Sequence, residues 1–352
     1  MKRTTVGKAL VGITACFFAG MSLIVCSPIQ PVSLPEGNGG APGSGGSGAV
    51  AGSSGGGGAG GNSETHSTGG ALIIDTGNLG GSMGNPDAAG PEPWPPPGFI
   101  NVTPVTHGAY ALGPQITSAD AGAAGGSGGS SGVATNCAAL YGLVRDFKMG
   151  GTGRPGGHPD FETAPVGIEK GIVATTLGPD NKPVYVTTAR QPSKSTTGPD
   201  NFNQWYNDVP GVNMTYVLAL QMVLVNGTAT FSANQPSAFF PLDGQGFGNE
   251  GQPHNFAFTT EIHTAFQYGG GETFSFTGDD DVWVFINKKL VIDLGGRHAQ
   301  TLGTVAVDTL GLTKGNVYDL AVFHAERHTD QSNFQIQTTL AFTDCGETLV
   351  RF

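Results

Sequence analysis

The stretch from Gly278 to Asp293 constrains this chain most. Gly278-Asp279-Asp280-Asp281 runs straight into Val282-Trp283-Val284-Phe285-Ile286; a polar break, Asn287-Lys288-Lys289, then leads to a second apolar run ending on Asp293. Two short runs of β-branched and aromatic residues around a polar break describe a buried hairpin. Three adjacent carboxylates at its mouth repel one another, the more so in a tight local geometry. They read either as a solvated acidic turn that blunts a strand edge or as oxygen ligands for a hard cation. The local sequence leaves both readings open.

The same β texture fills the last two-thirds of the chain. Met214 to Phe231 holds two apolar runs around Asn226-Gly227, a strong hairpin-turn signal. Phe256–Tyr268, Glu272–Phe276, Leu290–Leu294, Thr301–Val307, Val317–Phe323 and Phe334–Phe342 follow, mostly alternating apolar with polar residues. Leu140–Phe147 reads as the first strand or a short turn of helix. Val166–Thr176 and Asn201–Asn207 are the only candidates for helical turns. The expected class is all-β, an antiparallel β-sandwich or barrel.

Composition divides the 352 residues. The 59 glycines crowd between Gly37 and Gly132. A Gly-, Ser- and Pro-rich segment cannot bury enough apolar surface to offset the entropy of ordering, so residues 27–136 read as a disordered tether and 137–352 as the folded domain. Phe99–Leu112 is an apolar island inside that tether, taken as linker, with docking as an extra strand the alternative. At the front, Met1-Lys2-Arg3 and Lys8 precede an apolar run from Ala9 to Val25, the pattern of a secretory leader over 1–26. Leu23-Ile24-Val25-Cys26 resembles a bacterial lipobox, with Val25 departing from the usual small residue, which marks Cys26 as the lipidation site. The expected location is the outer membrane or cell surface through a lipid anchor, or secretion. Export makes Cys137 and Cys345, at the two edges of the domain, disulfide partners; closing so long a loop is worth about 5 kcal/mol in the chain-entropy picture. Net charge is −11, and Lys and Arg form no cluster, which excludes nucleic acid as a partner.

Enzymatic motifs are scarce. His324-Ala325-Glu326-Arg327-His328 lacks the Glu that a zincin needs after its first His and lies between β-like runs rather than on a helix. Metal binding by His324 and His328 across a turn competes with plain packing of both. Carboxylates for glycoside hydrolysis are available among Glu250, Glu261, Asp279–Asp281 and Glu326, but spacing in sequence does not give their separations. Trp205-Tyr206, among amides in Asn201–Asp208, reads as a sugar-stacking surface or as a core anchor under a long loop.

Several strings in order resemble a fibro-slime domain: His158-Pro159-Asp160-Phe161-Glu162, Asn201 to Gly211, Phe240 through Gly251, Thr259 to Tyr268, Thr277 to Asn287, Asp293-Leu294-Gly295-Gly296 and Phe323 to Phe334. Lys288 stands where that family usually has Gly, and Arg297 is unusual beside His298. The family is similar in turn to the protective-antigen-type β-barrel module of flocculins and toxins. That resemblance implies a cis-linked Asp-Asp pair that binds Ca2+ and helps hold a sugar, matched here by Asp279 and Asp280. Further ligands are implied in His324–Asn333, Glu326 as the carboxylate. The implied metal set is Asp279, Asp280 and Glu326; the implied ligand-binding set is Asp281, Asn287, His298, His324, His328 and Asn333. The expectation is a non-catalytic surface adhesion module for carbohydrate or extracellular matrix. A polysaccharide hydrolase and a self-associating structural surface protein are the alternatives.

Overall fold

A computed structural model describes residues 94–346, apart from 100, 106–107, 117–136, 152, 189–190 and 234–237. The leader expected over 1–26, Cys26, and the greater part of the tether lie outside the described residues. The fold is all-β. In chain order the strands are β1 (Asn101–Val105), β2 (Gly108–Ile116), β3 (Ala139–Phe147), β4 (Asn213–Gln221), β5 (Val223–Val225), β6 (Thr228–Ser232) and β7 (Phe258–Gln267). They continue with β8 (Thr273–Gly278), β9 (Asp281–Ile286), β10 (Lys289–Leu294), β11 (Thr301–Ala306), β12 (Val317–Glu326), β13 (Phe334–Thr338) and β14 (Ala341–Asp344). All pairings among them are antiparallel. A nine-stranded sheet runs β1-β2-β4-β3-β7-β12-β9-β10, with β14 also on β7; a five-stranded sheet runs β11-β8-β13-β6-β5.

Alternation along β9 sorts its side chains to the two faces of the large sheet. Val282, Val284 and Ile286 enter the main core between the sheets, with Ile262, Phe274, Phe276 and Val322. Trp283 and Phe285 enter a second core on the outer face, with Phe323, Phe161, Phe202, Trp205 and Tyr206. The long connection from β3 to β4 supplies much of that second core, so it covers the large sheet. Trp205 and Tyr206 are fully buried there, as core anchors rather than a stacking surface. The connection contains one short helix, α1 (Pro199–Phe202); no helical turn forms in 166–176, where Val173 instead bridges to Tyr185.

Two expectations are corrected at the N-terminal edge. Leu140–Phe147 falls in β3, not the first strand, and residues 101–105 and 108–116, assigned to the tether, form β1 and β2. The apolar run Tyr110-Ala111-Leu112 pairs with Leu218–Leu220 of β4 and is buried. The Tyr110 hydroxyl donates to the Ala238 carbonyl at 2.9 Å and accepts from the Phe240 N–H at 3.1 Å. The island was visible in the sequence; that it docks as an extra strand, the alternative reading, depends on its partner β4. Cys137 and Cys345 are bonded across a sequence separation of 208, with Cα atoms 5.6 Å apart, a normal span for a disulfide.

The β5–β6 and β9–β10 hairpins have the positive-φ pair of a type I′ turn. Asn226 and Gly227 lie at φ 51° and 79°, Asn287 and Lys288 at 50° and 61°. Lys288 thus takes a left-handed conformation that favours glycine. Its carbonyl is fixed from outside by the Leu177 N–H at 3.0 Å.

Candidate functional site

Three connections cross from one sheet to the other at one end of the sandwich. Asp279-Asp280 joins β8 to β9, residues 295–300 join β10 to β11, and residues 327–333 join β12 to β13. Gly278, the last residue of β8, is in register with both Thr301 and Phe334, so the three crossovers meet. A strand changing sheets leaves backbone N–H groups without ladder partners, and buried ones must find acceptors. The three aspartates provide them. Asp279 accepts from the Asn333 N–H (2.6 Å) and Asn333 Nδ2 (2.8 Å); Asp280 accepts from the His298 N–H (3.1 Å) and Arg327 N–H (3.2 Å). Asp281 accepts from the Gly296 N–H at 2.6 Å. The Asp279–Asp280 peptide is cis.

All three aspartates are buried, at 3%, 5% and 0% exposure, and Glu326 is 1% exposed. Asp281 is matched by Arg327, whose Nε donates to Oδ2 at 2.6 Å while Nη2 lies 2.5 Å from the same oxygen. Arg327 is itself fixed by the Asp160 and Ser195 carbonyls, at 2.9 and 2.7 Å from Nη1, and lies 4.5 Å over the Trp205 ring. The other carboxylates lack such a partner. Burial, with the charges of Asp281 and Asp279, holds Asp280 well above the usual carboxylate range despite Arg327. Burial, then Asp280 and Asp279, does the same to Glu326. Asp279 is raised by burial, its bonds from Asn333 opposing the shift. Oε2 of Glu326 has no hydrogen-bond partner, a costly state for a buried oxygen.

A hard cation suits this set: buried oxygen donors, excess negative charge and one orphaned oxygen. As placed, no group of three or more His, Cys, Asp or Glu side chains among the described residues is arranged to hold a metal ion. The fit therefore rests on charge and on the unpartnered oxygen rather than on a formed coordination shell.

The remaining expected residues divide clearly. Asn333 and His298 belong to the crossover cluster. The ring nitrogens of His298 face the Ala299 and Leu294 carbonyls at 2.8 and 3.0 Å, so its backbone, not its ring, reaches Asp280. His324 lies among aromatic rings, its centroid 5.1 Å from that of Phe334. Its Nε2 is 2.8 Å from the Asp279 carbonyl, and burial lowers its pKa to about 4. It supports the Asp279 backbone from the core. His328 sits apart, Nδ1 3.8 Å from Glu162, so the two histidines form no metal pair. Asp281 faces Arg327 instead of solvent or ligand. Asn287 is excluded by position: it turns β9 into β10, at the end of β9 opposite Asp279-Asp280. Six residues of strand, about 20 Å, separate those ends.

Sequence reasoning missed Arg327 and Asp160 as parts of the cluster. Both stand inside strings that carried the resemblance, but a buried arginine leaves no periodic trace, and its partner Asp281 is distant in sequence.

Residues 243–350 match the PA14 domain, a stretch containing Asp279, Asp280, Glu326 and Asn333. Among curated proteins, the chain is 42% identical over 213 residues to protein psiQ of Dictyostelium discoideum and 40% over 211 to protein psiR. Each match covers 54% of this chain and 21% of the relative, so the chain spans about a fifth of the length of these relatives. Among solved structures, the PA14 sugar-binding domain from an RTX adhesin aligns with 58% of this chain and 94% of its own, at 9% identity and a TM-score of 0.27. That superposition is too loose to bear on fold or function.

Proposed function

We propose that this chain is an exported binding module that holds carbohydrate through Ca2+ at the sheet-crossover cluster. The observation that carries this reading is Glu326 at the crossovers: it is buried, burial and the charges of Asp280 and Asp279 hold its pKa up, and its Oε2 has no partner. The PA14 match over these residues supports it, as does the sequence resemblance to a sugar-holding Asp-Asp module. Asp279, Asp280 and Glu326 would hold the ion, which would supply coordination positions for hard oxygens such as vicinal sugar hydroxyls. Asn333 and the backbone of His298 orient the aspartates. Arg327 removes Asp281 from the ligand set. Attachment at the cell surface through a lipid on Cys26, or release by secretion, with matrix polysaccharide as partner, belongs to the same proposal.

The test is binding of the whole chain to a panel of immobilised neutral sugars, with Ca2+ and after chelation, alongside an assay for released reducing ends. Retention that needs Ca2+, is lost in Asp280→Asn and releases no sugar is the expected result. Retention unchanged by chelator overturns the metal site. Release of reducing sugar replaces the binding reading with a hydrolase. Concentration-dependent assembly without sugar retention replaces it with a self-associating coat.

A further inference from the structure

Beside the crossover cluster lies a groove of about 310 Å³, open to solvent, between residues 159–166 and residues 194–197. It lies wholly outside the stretch matched to the PA14 domain, except at Arg297. Its polar wall carries Thr163, Thr196 and Thr197, and Val166 offers an apolar patch. Its charged lining is unusual for a chain of net charge −11: the charged side chains that line it are Lys194 and Arg297, both cations.

Nearby acids are turned to other work. Both Asp160 oxygens are taken, by the Thr197 N–H and hydroxyl and by Trp205 Nε1. Glu169 accepts from the Lys194 and Ser195 N–H groups and from the hydroxyls of Ser193 and Ser195, and so shapes the loop that presents Lys194. Lys194 is exposed, and among the described residues its ammonium has no ion-pair partner. Arg297 commits Nε and Nη2 to the Ala164 carbonyl and Nη1 to the Ser195 carbonyl. A guanidinium has five N–H donors in a fixed fork, so these bonds orient Arg297 without exhausting it.

We propose that this groove is a subsite for a carboxylate-bearing sugar unit, a uronic acid, next to the unit held at the crossover cluster; it rests on the carbohydrate reading above. Volume admits one small polar unit, at the low end of ligand pockets. A planar guanidinium and a mobile ammonium are the pair that recognises a carboxylate, and Thr163 in the lining supplies a hydroxyl to the sugar. Adjacency follows from the chain: Arg297 precedes His298, whose N–H binds Asp280 at 3.1 Å.

The test titrates the whole chain in chelator with methyl glucuronide and with methyl glucoside, so that no metal contributes. The glucuronide binds about tenfold more tightly, Lys194→Glu removes that preference and Lys194→Arg retains it, with melting midpoints confirming that both variants fold. Equal affinity for the two sugars, or a preference untouched by Lys194→Glu, overturns the subsite. Because the titration contains no Ca2+, its outcome is independent of the metal site: a failed subsite leaves Ca2+-dependent retention of neutral sugars standing, and the converse holds.

Discussion

Arg327 reaches one oxygen of Asp281 with two nitrogens, Nε at 2.6 Å and Nη2 at 2.5 Å, and neither side chain is exposed to solvent. This contact divides a run of three aspartates into one that is neutralised inside the protein and two, Asp279 and Asp280, that make no ion pair among the described residues. Arg327 also ties the connection over the outer face to the crossovers, through the carbonyls of Asp160 and Ser195.

Arg327→Ala leaves Asp281 buried and unpaired and frees two carbonyls, and is expected to cost about 3–5 kcal/mol. Urea unfolding of the variant measures this. A loss below about 1 kcal/mol would show that the pair is solvated and exchangeable.

Calcium affinity should fall as pH drops. Asp280, Glu326 and Asp279 are all held above the usual carboxylate range by burial, and Asp280 and Glu326 also by neighbouring aspartates. Ligation requires them ionised, so binding releases protons, and lower pH opposes it. Calorimetry in buffers of different ionisation heat counts those protons. Affinity independent of pH through the range where binding is measured would contradict the ligand set.

Asp146 gives a separate pH signature. It is buried on β3 and accepts from Phe247 N–H and from Asn255 Nδ2 at 2.8 Å; burial raises its pKa to about 7. The folded state therefore binds a proton that the unfolded state has lost between about pH 4 and 7. Its contribution to stability is largest at the acid end of that window, declines as pH rises to about 7 and is constant above. Stability of the protein relative to Asp146→Asn should fall across that window. A flat difference would mean that Asp146 is solvated in the folded state.

A chain beginning at residue 131 lacks β1 and β2. It strips Tyr110, Ala111 and Leu112 from β4 and leaves Phe231 and Phe239 without the Tyr110 ring, whose centroid lies 6.5 and 5.3 Å from theirs. Losing these contacts, at roughly 1.5–3 kcal/mol per large buried side chain, should lower the melting midpoint markedly. An unchanged midpoint would place the domain boundary after β2.

Most of the all-β architecture could be read directly from alternating β-branched and aromatic runs, because a strand's period is local and needs no partner to be visible. Asn226-Gly227 fixed one hairpin in the same way, through a backbone preference confined to two residues. The run Asp279-Asp280-Asp281 identified the locus of the site but not the division of roles within it. That division depends on groups far apart in sequence: Arg327 against Asp281, Asn333 against Asp279, His298 against Asp280, Glu326 beside both free aspartates. Residues 101–116 were misjudged because a strand at the edge of a Gly-rich segment gains its stability from β4, not from its own composition. The resemblance put Asn287 in the ligand-binding set; an extended strand carries it about 20 Å from Asp280. Residue types and local periods are properties of the chain, whereas burial, counter-charge and the meeting of three crossovers arise only when the two sheets close on each other.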